Sequence, residues 1–136
     1  MVIAPPGVGK SLYLVNQAVK GLMQGKKVLY VTLEMSEDKI ARRIDSVASL
    51  LDNKSLNDPS KQLELNKRLK MFQDRFPGSR LFIKEFPTGV DTVNSIRSFL
   101  VQLKNYHNFV PEMIIIDYLE LLRPCSKIDA EYIAQQ

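Results

Sequence analysis

Apolar and polar positions alternate with two different spacings along this 136-residue chain. From about residue 11 to residue 23, apolar side chains recur at helical spacing, and Gly25 follows where a helix C-terminal glycine is expected. The run KVLYVTLE, residues 27–34, is rich in β-branched and aromatic residues and predicts a buried parallel strand. Ser36 then predicts the N-cap of a second helix, which begins with acidic residues and continues with an apolar stripe.

The second half of the chain repeats this alternation. The predicted elements are a loop at 52–61, a helix at 63–76, a short strand at 81–83, a helix capped by Asp91 with apolar positions at 93–103, and the strand-like run MIIIDYLELL at 113–122. Strands that alternate with helices of about ten to fifteen residues predict an α/β fold. We expect three layers, αβα, with a mainly parallel sheet covered by helices on both faces.

Composition narrows the class of protein without naming a function. Apolar residues make up 45% and charged residues 25% of the chain, which is typical of one globular domain. No apolar run approaches the ~18 residues of a membrane span, and no signal peptide opens the chain, so we expect a cytosolic protein without a membrane partner. Cys125 is the only cysteine in the sequence and His107 is the only histidine, which excludes an internal disulfide and a Cys/His metal site. A net charge of +4 permits contact with a polyanion but does not require it.

The sequence APPGVGKS, residues 4–11, lies between an apolar strand end and an amphipathic helix. This context makes it a phosphate-binding loop of the pattern GxxxxGKS/T. Its glycines let backbone N–H groups curl around phosphate oxygens, and the helix N-terminus adds partial positive charge. Lys10 is expected to reach the β- and γ-phosphates, and the Ser11 hydroxyl to bind Mg²⁺. The residues expected to contact the nucleotide are Ala4, Pro5, Pro6, Gly7, Val8, Gly9, Lys10 and Ser11. Ala4 replaces the first glycine of the pattern, at the strand end, where we expect the change to be tolerated.

Two acidic residues are candidates for the chemistry beside this loop. Asp117 ends the apolar run 113–116 and is expected to hold the water shell of the magnesium ion, although an Asp that caps a turn is the commoner meaning of such a pattern. Glu34 follows the strand at the edge where open α/β sheets bind ligands, and there it could deprotonate the attacking water. Spacing alone leaves an exposed glutamate before a helix as the alternative.

Three segments together resemble the hexameric replicative DNA helicases of the DnaB type, especially the branch carried by large tailed phages. They are APPGVGKS, YVTLEMSEDKIARRID and NFVPEMIIIDYLELL, and FIKEFPTG adds to the likeness with the phage branch. The resemblance covers nearly the whole chain and implies a RecA-like P-loop ATPase. It implies that Lys10 and Ser11 bind MgATP, that Glu34 is the catalytic base, and that Asp117 is the Walker B acid. Glu120 departs from the family pattern, in which many bacterial members have Gln.

The resemblance also implies what the parent does, where the parent is a longer protein that carries this domain. We expect a homo-hexameric ATP-dependent helicase that unwinds duplex DNA by translocating on single-stranded DNA, with a primase or helicase loader as partner. The location would be the cytosol of a bacterium or of a phage-infected cell. Residues 1–136 would form a partial domain with a clipped first strand and without the later strands, DNA loops and arginine finger. A RecA-like recombinase or KaiC-like clock ATPase, and a nucleotide-binding fragment that does not turn over ATP alone, remain alternatives.

Overall fold

The computed structural model describes residues 9–89 and 92–118. The helices are α1 (Lys10–Met23), α2 (Glu37–Ser49), α3 (Asn53–Leu56), α4 (Gln62–Arg75) and α5 (Val93–His107), with a single 3-10 turn at Pro59–Lys61. The strands are β1 (Lys27–Thr32), β2 (Arg80–Glu85) and β3 (Met113–Asp117). Each predicted helix and strand within the described residues is present, with its ends shifted by a few residues.

The strands form a parallel sheet in which β1 lies between β2 and β3. Thr32 at the end of β1 is paired with Glu85 of β2 on one side and with Asp117 of β3 on the other. All three strands therefore end at the same edge of the sheet. From Val28 to Thr32, β1 is fully buried, as expected for a central parallel strand covered on both faces.

Helices cover both faces of this sheet. On one face, Val15 of α1 and Ile40 of α2 pack against Tyr30, and Phe72 of α4 packs at the margin of the same cluster. On the other face, α5 packs against the alternate residues of β1, among them Leu29. The predicted three-layer α/β fold is confirmed.

Helix α1 runs antiparallel to the strands. The C-terminal end of α1 lies at the amino edge of the sheet. There a Cβ atom added to Gly21 would lie 2.7 Å from Sδ of Met113 and 3.1 Å from Cγ2 of Val28. Glycine at this position lets the helix approach both strands closely. The beginning of α1 consequently points towards the carboxyl edge of the sheet.

The prediction of a loop at 52–61 is wrong, because this segment contains α3 and the 3-10 turn. The Asp52 side chain accepts a hydrogen bond of 2.7 Å from Ser55 N, and Asp58 accepts one of 2.9 Å from Ser60 N. Each aspartate thus caps a helix of four or three residues, which is too short to produce an apolar period.

Two further boundaries differ. The N-cap of α5 is Thr92, whose backbone N donates to Ser95 Oγ at 3.2 Å, while Asp91 lies outside the described residues. Strand β2 extends beyond its apolar centre because the polar residues Arg80 and Glu85 at its ends also pair with β1. Among the described helices, none is both long and apolar enough to cross a membrane.

Candidate active site at the carboxyl edge of the sheet

The first turn of α1 brings two residues of the predicted phosphate-binding loop to the carboxyl edge. Gly9 is the N-cap and has the left-handed backbone angles φ 79° and ψ 23°, a conformation that glycine adopts without a steric penalty. Among the described residues, a Cβ atom there would meet nothing within 4 Å, and the left-handed backbone by itself favours glycine. Ser11 is partly buried in the same turn. Residues 4–8 of the loop lie outside the described residues.

Lys10 connects this turn to the end of β3. Its Nζ lies 4.2 Å from the centre of the Tyr118 ring, a distance at which a cation is attracted by the aromatic face. Tyr118 directly follows Asp117 in the chain. Lys10 therefore lies against the residue that directly follows Asp117, at the carboxyl edge of the sheet.

Asp117 is buried at the end of β3 with 2% of its surface exposed. Its Oδ2 accepts a 2.9 Å hydrogen bond from the hydroxyl of Tyr30. Its Oδ1 is buried and has no hydrogen-bond partner among residues 9–89 and 92–118. Because a buried carboxylate oxygen without a partner is costly, a bound ligand is one group that could satisfy Oδ1.

The Tyr30 hydroxyl stays protonated. Burial raises the pKa of Tyr30 far above its ordinary value, the nearby Asp117 carboxylate raises it further, and Arg43 opposes the change. The tyrosine is consequently a permanent hydrogen-bond donor to the carboxylate.

Glu34 lies just beyond the end of β1, on a turn held by hydrogen bonds from both sides. Thr32 Oγ1 donates to Met35 O at 2.8 Å and accepts from Met35 N at 3.1 Å, which closes the turn. Leu33 N donates to Asp117 O at 2.9 Å and joins the turn to β3. Glu34 is exposed, so its carboxylate is open to solvent and to a ligand at this edge.

The structure thus places Lys10, Ser11, Glu34 and Asp117 at the carboxyl edge of the sheet, and their roles there stay predictions. Glu120 lies outside the described residues. The residues that sequence reasoning missed are Tyr30, Thr32 and Tyr118. A tyrosine in a completely buried strand needs a hydrogen-bond partner, which was a usable signal, but its partner is visible only once the strand register is known.

These residues fit a magnesium ion that is held mainly by phosphates and water. Within the described part of the chain, no group of three or more His, Cys, Asp or Glu side chains could hold a metal ion. Mg²⁺ bound with a nucleotide needs only one or two protein ligands, because it keeps several water molecules. The free Oδ1 of Asp117 and the Ser11 hydroxyl are suitable ligands, the aspartate through water.

The parallel sheet and the helical layer on each of its faces define a three-layer α/β domain. Compared with known protein families, the chain matches the DnaB-like helicase C terminal domain over residues 1–135. The chain belongs to this family, as the resemblance implied.

Individual relatives agree with the family match. The DnaB-like replicative helicase of Enterobacteria phage T4 is 38% identical over 129 residues, which is 92% of this chain and 26% of that protein. The replicative DNA helicase DnaB of Rickettsia typhi is 26% identical over 133 residues, 90% of this chain and 26% of that protein. The same helicase of Rickettsia prowazekii is 25% identical over 133 residues, with the same coverage. The chain therefore spans about a quarter of the length of the curated relatives it matches.

Proposed function

We propose that this domain binds and hydrolyses MgATP as the motor core of a replicative DNA helicase. The observation that carries the proposal is the contact of Lys10, next to a left-handed glycine at a helix N-terminus, with the ring of Tyr118. Tyr118 directly follows the buried Asp117, whose Oδ1 has no partner in the described part of the chain. A cation, a helix N-terminus and an acid with an unused oxygen form the set of groups that a magnesium-bound triphosphate requires.

Each residue has one role in this proposal. Lys10 leaves the Tyr118 ring and binds the β- and γ-phosphates, together with backbone N–H groups of residues 7–11. Ser11 and Asp117 hold the magnesium ion, the aspartate through water. The ion, when bound, neutralises phosphate charge. Glu34 accepts a proton from the attacking water, and its exposed position beyond β1 leaves it free to do so.

The family match favours the helicase over a RecA-like recombinase or KaiC-like clock ATPase. For the parent we accordingly propose a homo-hexamer that translocates on single-stranded DNA and works with a primase or loader in the cytosol. The relatives are named replicative helicases, and this supports the proposal at the level of the whole protein. For the chain alone we propose nucleotide binding without turnover, because an arginine from a neighbouring subunit commonly stabilises the transition-state charge.

Equilibrium binding of a fluorescent ATP analogue to the purified chain, with Mg²⁺ present, tests the proposal. Lys10→Ala is expected to weaken binding by about tenfold or more, since it removes a charge-assisted contact to phosphate. Lys20→Ala is the matched control, because Lys20 is an exposed lysine near the other end of the same helix. Equal binding by wild type and Lys10→Ala would contradict the proposal, and so would equal losses in the two variants.

A further inference from the structure

We propose that Tyr30 is a positioning residue for the metal-binding acid: its hydroxyl holds Oδ2 of Asp117 and so leaves Oδ1 as the oxygen that faces the magnesium-bound water. The inference rests on the proposed function. It concerns a residue of the central strand that lies 87 positions from its partner in the chain.

The contact has the features of a structural restraint. The Tyr30 hydroxyl and Asp117 Oδ2 are 2.9 Å apart, and both residues are at most 2% exposed. A hydrogen bond to a charged acceptor in a dry environment is stronger and more directional than one at the surface. The carboxylate plane is therefore fixed by an oxygen that the ligand does not use.

The tyrosine itself is held on a rigid base. Tyr30 is in the middle of β1, between β2 and β3, and its ring packs under Val15 of α1 and Ile40 of α2. The residue is completely buried. Because the ring has no room to move, its hydroxyl marks a fixed point from which Asp117 is oriented.

A carboxylate without this restraint would sample several rotations about its terminal bond, since such torsions are broad. Only some of them direct an oxygen towards the ligand. The cost of restricting that rotation at the moment of binding would then reduce the affinity for the metal-bound nucleotide. Nucleotide binding through Lys10 and the backbone would be unaffected.

The test measures how much Mg²⁺ strengthens the binding of the ATP analogue, as the ratio of affinities with Mg²⁺ and with EDTA. Tyr30→Phe is expected to lower this ratio roughly three- to tenfold while leaving the affinity in EDTA unchanged. A residue with a purely structural role would lower both affinities together. Tyr106→Phe is the matched control, because it removes the same hydroxyl from a side chain that is 82% exposed.

A second pair of variants covers the case in which Tyr30→Phe does not fold. Asp117→Asn removes the charge but keeps an oxygen that accepts from the tyrosine, and the double variant Tyr30→Phe/Asp117→Asn leaves no buried carboxylate without its partner. If Tyr30 acts through Asp117, the ratio in the double variant equals that in Asp117→Asn alone. A further fall in the double variant would overturn the inference.

The results separate this inference from the proposed function. If wild type binds no nucleotide, or binds it equally after Lys10→Ala, the proposed function fails and the inference falls with it. If wild type shows the Mg²⁺ effect and Tyr30→Phe keeps the full ratio, the inference is wrong and the proposed function stands.

Discussion

Thr32→Val tests whether the side chain that closes the turn after β1 also places Glu34. Threonine and valine have the same shape, so the change removes the hydroxyl and leaves the packing of this completely buried residue intact. The hydroxyl makes two hydrogen bonds with the backbone of Met35, at 2.8 Å and 3.1 Å. Two such bonds contribute about 1–3 kcal/mol. The methyl group that replaces the hydroxyl is buried and stabilises the fold by ~0.8 kcal/mol.

The net loss of unfolding free energy should therefore be about 0.2–2 kcal/mol, which lowers the urea midpoint by about 0.1–1 M at an unchanged slope. Thr32→Ser is the control, because it keeps the hydroxyl and removes a methyl group. A nitroxide label at position 34, introduced by Glu34→Cys in a Cys125→Ser background, reports the mobility of the turn. Mobility should rise in Thr32→Val and stay near wild type in Thr32→Ser. An unchanged spectrum in Thr32→Val, or a midpoint equal to that of wild type, would refute the reasoning.

Three further predictions concern other parts of the domain. Glu34→Gln should leave ATP-analogue binding nearly intact and lower steady-state hydrolysis by the parent about 10²–10⁴-fold, and equal turnover would remove Glu34 from the mechanism. Burial raises the pKa of the Asp45 carboxyl, so the native state holds its proton to higher pH than the unfolded state does. The free energy of unfolding of wild type therefore falls as the pH rises from the ordinary pKa of the carboxyl in the unfolded state to its raised pKa in the native state. Asp45→Asn should unfold at a higher urea concentration than wild type at neutral pH and at the same concentration below about pH 4. Gly21→Val should lower the free energy of unfolding by about 1–3 kcal/mol, because the new side chain overlaps Met113 and Val28. Thermal unfolding measures this loss, and an unchanged melting temperature would show that the helix shifts freely.

The sequence was sufficient to predict the α/β class and the edge of the sheet that carries the candidate site. Both predictions depend on local periodicity and on one rule, that parallel strands end at a common edge. Lys10 begins a helix, Glu34 follows a strand and Asp117 ends one, so their positions at this edge follow from chain direction alone.

The strand order and the contacts within the site could not be predicted in this way. The central position of β1 depends on packing against both helical layers, which no local pattern contains. The hydrogen bond from Tyr30 to Asp117 depends on the register that pairs Thr32 with Asp117. A shift of one residue would turn the tyrosine to the opposite face.

In the proposed function, the central strand and the first helix have different roles at the site. Strand β1 orients both acids, because Tyr30 holds the carboxylate of Asp117, Thr32 closes the turn that carries Glu34, and the backbone N–H of Leu33 joins that turn to β3. In the proposed function, helix α1 contributes the charge of Lys10 and its own N-terminus, which would attract phosphate whether or not the acids are in place. Changes in the first turn of α1 should therefore reduce nucleotide affinity, whereas changes in β1 that keep the fold should reduce the metal dependence and the turnover.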